Sequence, residues 1–217
     1  MKKTVFTLIS AFVMLSSQAQ FADTTYRPHS AFKQYMPQDE LDKFNLRQQK
    51  ISRRGMYALA GWALANGLYG SIASSQSSGE TQVFHASNAI WGGINLLIAT
   101  PGILASYQTQ KMKNLSFGKT TLQQHGIEKI FLINAGLDFA YIGAGAAAWG
   151  FSDRVSSQKT KNILSGGGKS FIVQGGFLLL FDWTMYIVHS QHAFRNLNRY
   201  TAGLAYTGNG LSYTLAF

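Results

Sequence analysis

What most constrains this chain is where its charges are missing. No Asp, Glu, Lys or Arg lies between Arg54 and Glu80 or between Glu80 and Lys111. Only Asp138 interrupts the stretch from Lys129 to Asp153, and only Asp182 the stretch from Lys169 to Arg195. Each interval can hold the ~20 residues that a helix needs to cross a bilayer core. Charged residues make up 13% of the 217, about half of the ~25% usual in soluble domains. The pattern predicts an all-α fold: a four-helix transmembrane bundle of two helical hairpins over residues 55–195. Hydropathy in these stretches is modest for lipid-facing helices, so each is expected to carry one small or polar face. The alternative is a soluble periplasmic helical bundle, because buried soluble helices also read as apolar all round.

The ends have a different character. Lys2 and Lys3 precede an apolar run over 5–15, and Ser17-Gln18-Ala19 places small residues where a signal peptidase cuts, which predicts a signal peptide at 1–19. An uncleaved anchor is the alternative. Residues 20–54 are polar, with an amphipathic N-terminal helix expected after Pro37 because Asp39 and Glu40 suit a first turn. Over 196–217, Leu211, Tyr213, Leu215 and Phe217 alternate with small or polar residues behind Gly208-Asn209-Gly210, which predicts a short C-terminal β-hairpin tail. One hairpin closes no barrel.

These features place the chain in a bacterial cell envelope membrane after export. The connection after the first helix holds only Glu80 as a charge, whereas the next two are rich in lysine. If Gln20 is exported, that distribution opposes the positive-inside rule, so inner and outer membrane stay open. The absence of cysteine excludes disulfides, thiolate metal sites and cysteine nucleophiles. The formal charge of +10 comes without a dense basic helix interleaved with aromatics. Acidic lipid headgroups therefore suit it better than nucleic acid, which is not expected as a partner.

Small residues predict where helices meet: Ala63, Gly67 and Ser71 in the first, and Gly136, Ala140, Ala144 and Ala148 in the third. Trp62, Tyr69, Tyr107 and Trp149 are read as interfacial aromatics. Pro101-Gly102 is expected to kink or end the second helix. Gly166-Gly167-Gly168-Lys169-Ser170 is no phosphate loop, because position 163 is Ile163 and no strand precedes it; a flexible loop is expected. A faint repeat lays Ala60-Gly61 over Ala135-Gly136 and Phe84 over Phe171, which puts Asn95 on Asp182. It reads as a tandem duplication of a hairpin.

Three of the four apolar stretches carry polar side chains at helical steps: His85, Asn88 and Asn95; Asn134, Asp138 and Tyr141; Gln174, Asp182, Tyr186 and His189. Each set shares one face, which must point inward because lipid-facing carboxylates are costly. Counting along antiparallel helices puts Asp138 and Asp182 at one height, about 13 Å from a surface. The candidate seam is Asn66, Asn95, Asp138, Tyr141, Asp182 and Tyr186, with His85, Asn88, Asn134, Gln174 and His189 as a secondary cluster. Two close carboxylates in a low dielectric cannot both ionise cheaply, so the pair is expected to hold a proton. Such a pair fits a proton relay, a cation site or an acid-base dyad; the plain alternative is a hydrogen-bonded network that fixes helix register. Leu137 and Phe181 precede the aspartates, unlike the motifs of intramembrane aspartyl proteases. His125, His189 and His192 can gather at one surface near Glu128, but ordinary interfacial histidines are the preferred reading, so neither a metal nor another cofactor is expected.

The strings Gly55-Met56-Tyr57, Phe84-His85 with Asn88, Trp91 and Asn95, Asn134-Ala135-Gly136-Leu137-Asp138 with Tyr141, and Gln174-Gly175-Gly176-Phe177 with Asp182, Tyr186 and His189 resemble a family of small exported helical proteins of unknown function. The resemblance covers about residues 45–192. It implies an envelope location and no catalytic residue. The reading is a non-enzymatic envelope scaffold or assembly partner, in contact with lipid and with another envelope protein or its own copies. The alternative is translocation of a proton, cation or small solute past Asp138 and Asp182.

Overall fold

The structure, a computed structural model, describes residues 36–200, 202–206 and 211–215. The leader expected at 1–19 and the turn expected at Gly208-Asn209-Gly210 lie outside the described residues. Four long helices make the fold: α1 (Gln38–Ser75), α2 (Gly79–Ala105), α3 (Phe117–Phe151) and α4 (Gln158–Asn196). Beyond them the backbone of Ala202–Tyr206 pairs antiparallel with Leu211–Leu215, Ala202 opposite Leu215. The bundle itself is all-helical.

Two of the four helices begin on a side chain that satisfies a free N–H group. Pro37 precedes α1, with Asp39 and Glu40 in the first turn. The Ser116 and Ser157 hydroxyls accept from Lys119 N and Thr160 N at the starts of α3 and α4. Polarity stops at Gly55 but the helix does not. The amphipathic segment and the first apolar stretch form one unbroken rod of 38 residues, about 57 Å long.

α4 corrects one expectation, and α2 narrows another, because the helix does not end at Pro101. Pro101 lies inside α2, which runs on to Ala105. The glycine-rich string at 166–170 is helical and belongs to α4 rather than to a loop. Glycine disfavours helix by about 1 kcal/mol, yet here it permits contact that nothing larger allows. A Cβ on Gly168 would sit 2.6 Å from the Gly145 carbonyl oxygen, and one on Gly166 would run into the Glu80 carbonyl.

α1 packs antiparallel on α2 and α3 on α4; α2 against α4 joins the hairpins, and α1 also touches α4. α4 thus meets all three other helices. The small-residue line expected on α3 is displaced around the wheel. Gly136, Ala140 and Ala144 are exposed, and the buried line is Ala135, Asp138 and Gly145, with Ala148 alone of the expected set reaching Gly168.

The two hairpins repeat one design. A Cβ on Gly70 would meet the His85 carbonyl oxygen at 2.7 Å, and one on Gly145 the Gly168 carbonyl oxygen at 2.6 Å. Gly92 lies against Ala63 O and Gly67 N just as Gly175 lies against Asp138 O and Ile142 N. Each pair of contacts is generated by the same two sequence spacings. Across α2 and α4 the correspondence becomes reciprocal: Asn88 meets Gln174, and their counterparts Phe171 and Trp91 meet each other. Gln174 also meets Asn66, and Trp91 meets Tyr141. Gly166 faces its own counterpart Val83. Reciprocity of this kind is what a twofold axis produces, here an approximate one running along the bundle between α2 and α4. The repeat read from sequence is therefore one turn out in the second helices. Asn88, not Phe84, matches Phe171, and Ala99, not Asn95, matches Asp182.

Candidate buried polar site

Polar side chains fill the bundle at three levels. At the top, Gln174 on α4 gathers three helices. Its Oε1 accepts from Trp62 Nε1 at 2.9 Å, and its Nε2 donates to Asn66 Oδ1 at 2.9 Å and Asn88 Oδ1 at 2.8 Å. Ser170 donates to the same Asn88 oxygen at 2.9 Å. Trp62, expected at an interface, instead stacks on Phe177 at 4.0 Å and serves the seam. Across the approximate axis the same positions are aromatic: Trp91, Tyr141 and Phe171 pack edge to face, with centroids 5.2 to 6.0 Å apart.

The middle level is the carboxylate pair. Asp138 and Asp182 are 3% and 5% exposed. They interact with each other, and Asp182 also with Asn134. Asp138 Oδ2 has no hydrogen-bond partner among the described residues. Fixed helical rise is what brings the two acids to one height.

The lowest level lies where α1, α3 and the end of α4 converge. Asn45 donates to Thr120 Oγ1 at 3.1 Å, Gln48 to Gln124 Oε1 at 2.6 Å, and Gln124 to the His189 carbonyl at 2.9 Å. Ser52 Oγ lies 3.3 Å from His189 Nε2. His192 Nε2 donates to the Phe44 carbonyl at 3.1 Å, while its ring stacks on Phe44. Asn45, Gln48, Thr120 and Gln124 fell outside the sequence-based candidates. Their signal was uncharged polar residues at steps of three and four within segments otherwise marked by charge.

The candidate residues are thus distributed rather than gathered. Asn66 joins Asn88 and Gln174 at the top, not Asp138 and Asp182. Asn134 leaves the secondary cluster for the acid pair. His189 belongs to the lowest level, and His85 packs its ring against Tyr69 and Phe84. Tyr186 stacks on exposed Trp183. Asn95 is 1% exposed, its Nδ2 without a partner among the described residues. Among the described residues no three of His, Asp and Glu assemble as metal ligands; His125 and Glu128 lie 3.7 Å apart as a pair.

At the upper rim, beyond the charge-free part of the helices, Lys169 bonds Glu80 at 2.5 Å and lies over the Trp149 ring. The Lys169 ammonium, and after it the Ser165 hydroxyl, hold the Glu80 carboxyl below its usual 4.5. A 220 Å³ cavity opens beside this pair, and a 540 Å³ groove on the outside of α2 is lined by Gly93, Leu96, Leu97, Thr100 and Pro101. Neither touches a residue of the acid pair.

Residues 58–183 match the model of a family described as a family of unknown function, DUF6992. The chain belongs to this family. The DUF6992 match begins in the apolar half of α1 and ends just past Asp182. It includes the upper two levels of the seam and both glycine crossings, and it leaves out Asn45, Gln48, His189 and His192. No curated protein and no solved structure is matched.

Proposed function

We propose that this DUF6992 protein is an integral component of a bacterial envelope membrane in which all four helices cross the bilayer, and that it works as a non-enzymatic scaffold or assembly partner. One observation carries the membrane reading: the trunk is inside out. Leu68, Leu97, Phe139 and Leu180 are 65 to 71% exposed, while Asn95, Gln174, Asp138 and Asp182 are 0 to 5% exposed. Burying a Leu or Phe side chain contributes about 1.5 to 3 kcal/mol in water. A chain folding in water would not leave these out and place amides inside. In hydrocarbon the preference reverses, because polar groups must find partners within the protein.

Three helices, α2, α3 and α4, are long and apolar enough to cross a membrane. α1 is the fourth crossing because Leu64, Leu68, Tyr69 and Ile72 give its upper half the same outward apolar face. The scaffold reading is supported by crossings closed backbone against backbone at Gly92, Gly145 and Gly168, which make a fixed body. The outward line Gly136, Ala140 and Ala144 supports a helical partner or a second copy.

Fractionation tests the proposal. The protein is expected to stay with membranes through alkaline washing and to enter solution only with detergent. Monodisperse protein in a detergent-free supernatant overturns it.

A further inference from the structure

We infer that Asp138 and Asp182 form an exchangeable proton site, one proton being held between the two carboxyl groups. The first ground is chemical. Among the described residues no Lys, Arg or His acts on either carboxyl; Asp138 is influenced by Asp182, and Asp182 by Asp138 and Asn134. Tyr141, one turn along α3, is the other titratable group that acts with Asp138. α1 and α2 contribute no acid or base to the pair. Two adjacent carboxylates without a counter-charge, at 3% and 5% exposure, need a cation between them. Asp138 Oδ2, buried and without a partner among the described residues, is the acceptor left over.

The second ground is the approximate twofold. The positions matching Asn134, Asp138 and Asp182 in the other hairpin are Leu59, Ala63 and Ala99, which are 3%, 0% and 0% exposed. The same crossing is therefore built once with two alanines and a leucine, with no polar side chain at these three positions. Packing of α3 on α4 does not call for carboxyl groups, so their presence answers to a ligand.

The ligand is a proton because the site is too poor for a metal ion. Two carboxyls and one amide fall short of the six or more oxygens that Ca²⁺ takes, and Mg²⁺ keeps waters that need room. At this crossing the α4 backbone at Gly175 lies close against the Asp138 carbonyl and Ile142 of α3. With the proton in place, one carboxyl is the acid and donates its O–H to the carboxylate of the other. The pair then carries a single negative charge, and the proton comes from and returns to water.

The inference borrows only the apolar surroundings from the membrane proposal and fails separately from it. The test is infrared spectroscopy of the full chain at neutral pH, purified in whatever medium keeps it monodisperse. The expected result is the carbonyl stretch of a protonated carboxylic acid, shifting on exchange into heavy water. It should vanish in D138A/D182A, the variant that copies Ala63 and Ala99 and is expected to keep wild-type helicity and melting temperature. D138N/D182N serves in its place if the alanine variant does not fold, and the band is expected to vanish there too. Absence of the band in the wild-type protein, or its survival in the folded double variant, overturns the inference. So does a purely carboxylate spectrum with a melting temperature that rises with sodium concentration, which would assign the site to a metal cation. A soluble protein that shows the band keeps the proton site and loses only the bilayer.

Discussion

The foot of the bundle and its trunk are built on opposite rules from the same helices. At the foot, Met36, Leu41, Phe44 and Leu197 are buried together with Phe117 and Tyr200 packed against them, while Asp39, Lys43 and Lys50 face outward. A few turns up α1, the buried positions are Ala63 and Gly70 beside half-buried Asn66, and the outward ones are Leu64, Leu68 and Ile72. In their outward faces the foot follows the rule for protein in water and the trunk the rule for protein in lipid. The difference teaches that composition alone misleads here. The chain's mean hydropathy of -0.01 averages two segments whose outward faces differ, charged at the foot and apolar on the trunk.

The contrast is broken most severely where trunk backbones touch. Gly168→Leu forces a side chain against the Gly145 carbonyl, and a loss of about 3 kcal/mol or more is expected from overpacking, read as lost monodisperse yield in detergent. Next comes a matched pair of truncations. Leu41→Ala, in the foot's core, should cost about 3 kcal/mol. Leu97→Ala, 71% exposed on the trunk, should change thermal stability in detergent by less than about 0.5 kcal/mol. Equal losses would mean that one solvent surrounds both. Gln174→Ala removes three hydrogen bonds at once and leaves Asn66 and Asn88 without their amide donor. A cost of about 1 to 3 kcal/mol is expected in a chemical or thermal melt, and a null effect would show that water or lipid headgroups replace the amide. The smallest effect belongs to the rim. Because the folded Glu80 carboxyl is held below its ordinary value by Lys169, its contribution is complete above the unfolded value and is lost as pH falls through the folded one. Both partners are over a third exposed, so the contribution lies within the ~0–1 kcal/mol of exposed pairs. Glu80→Gln should flatten that acid limb of a stability-pH profile and leave neutral stability almost unchanged.

The parts legible in the sequence were those governed by fixed geometry. Missing charge located the apolar helices, and constant rise per residue brought Asp138 level with Asp182. What misled were residue types with two physical uses. Glycines at 166–168 read as a loop until the partner backbone at Gly145 and Glu80 is known, because their cost in a lone helix is repaid only by contact. On α3 both Gly136-Ala140-Ala144 and Ala135-Asp138-Gly145 are legitimate packing lines, and only the position of α4 selects between them. Trp62 has an apolar body and one N–H, so interface and amide-lined interior are equally open to it. The foot's amides at Asn45, Gln48 and Gln124 were hidden among neighbours that carry charge.

One consequence follows from α1 passing from foot to trunk with no break. A rod that is a single helix from Gln38 to Ser75 has no joint at which the two ends can move apart. Any body that grips the foot therefore holds the same shaft that carries Trp62 and Asn66 beside Gln174, so a push at one end is felt at the other.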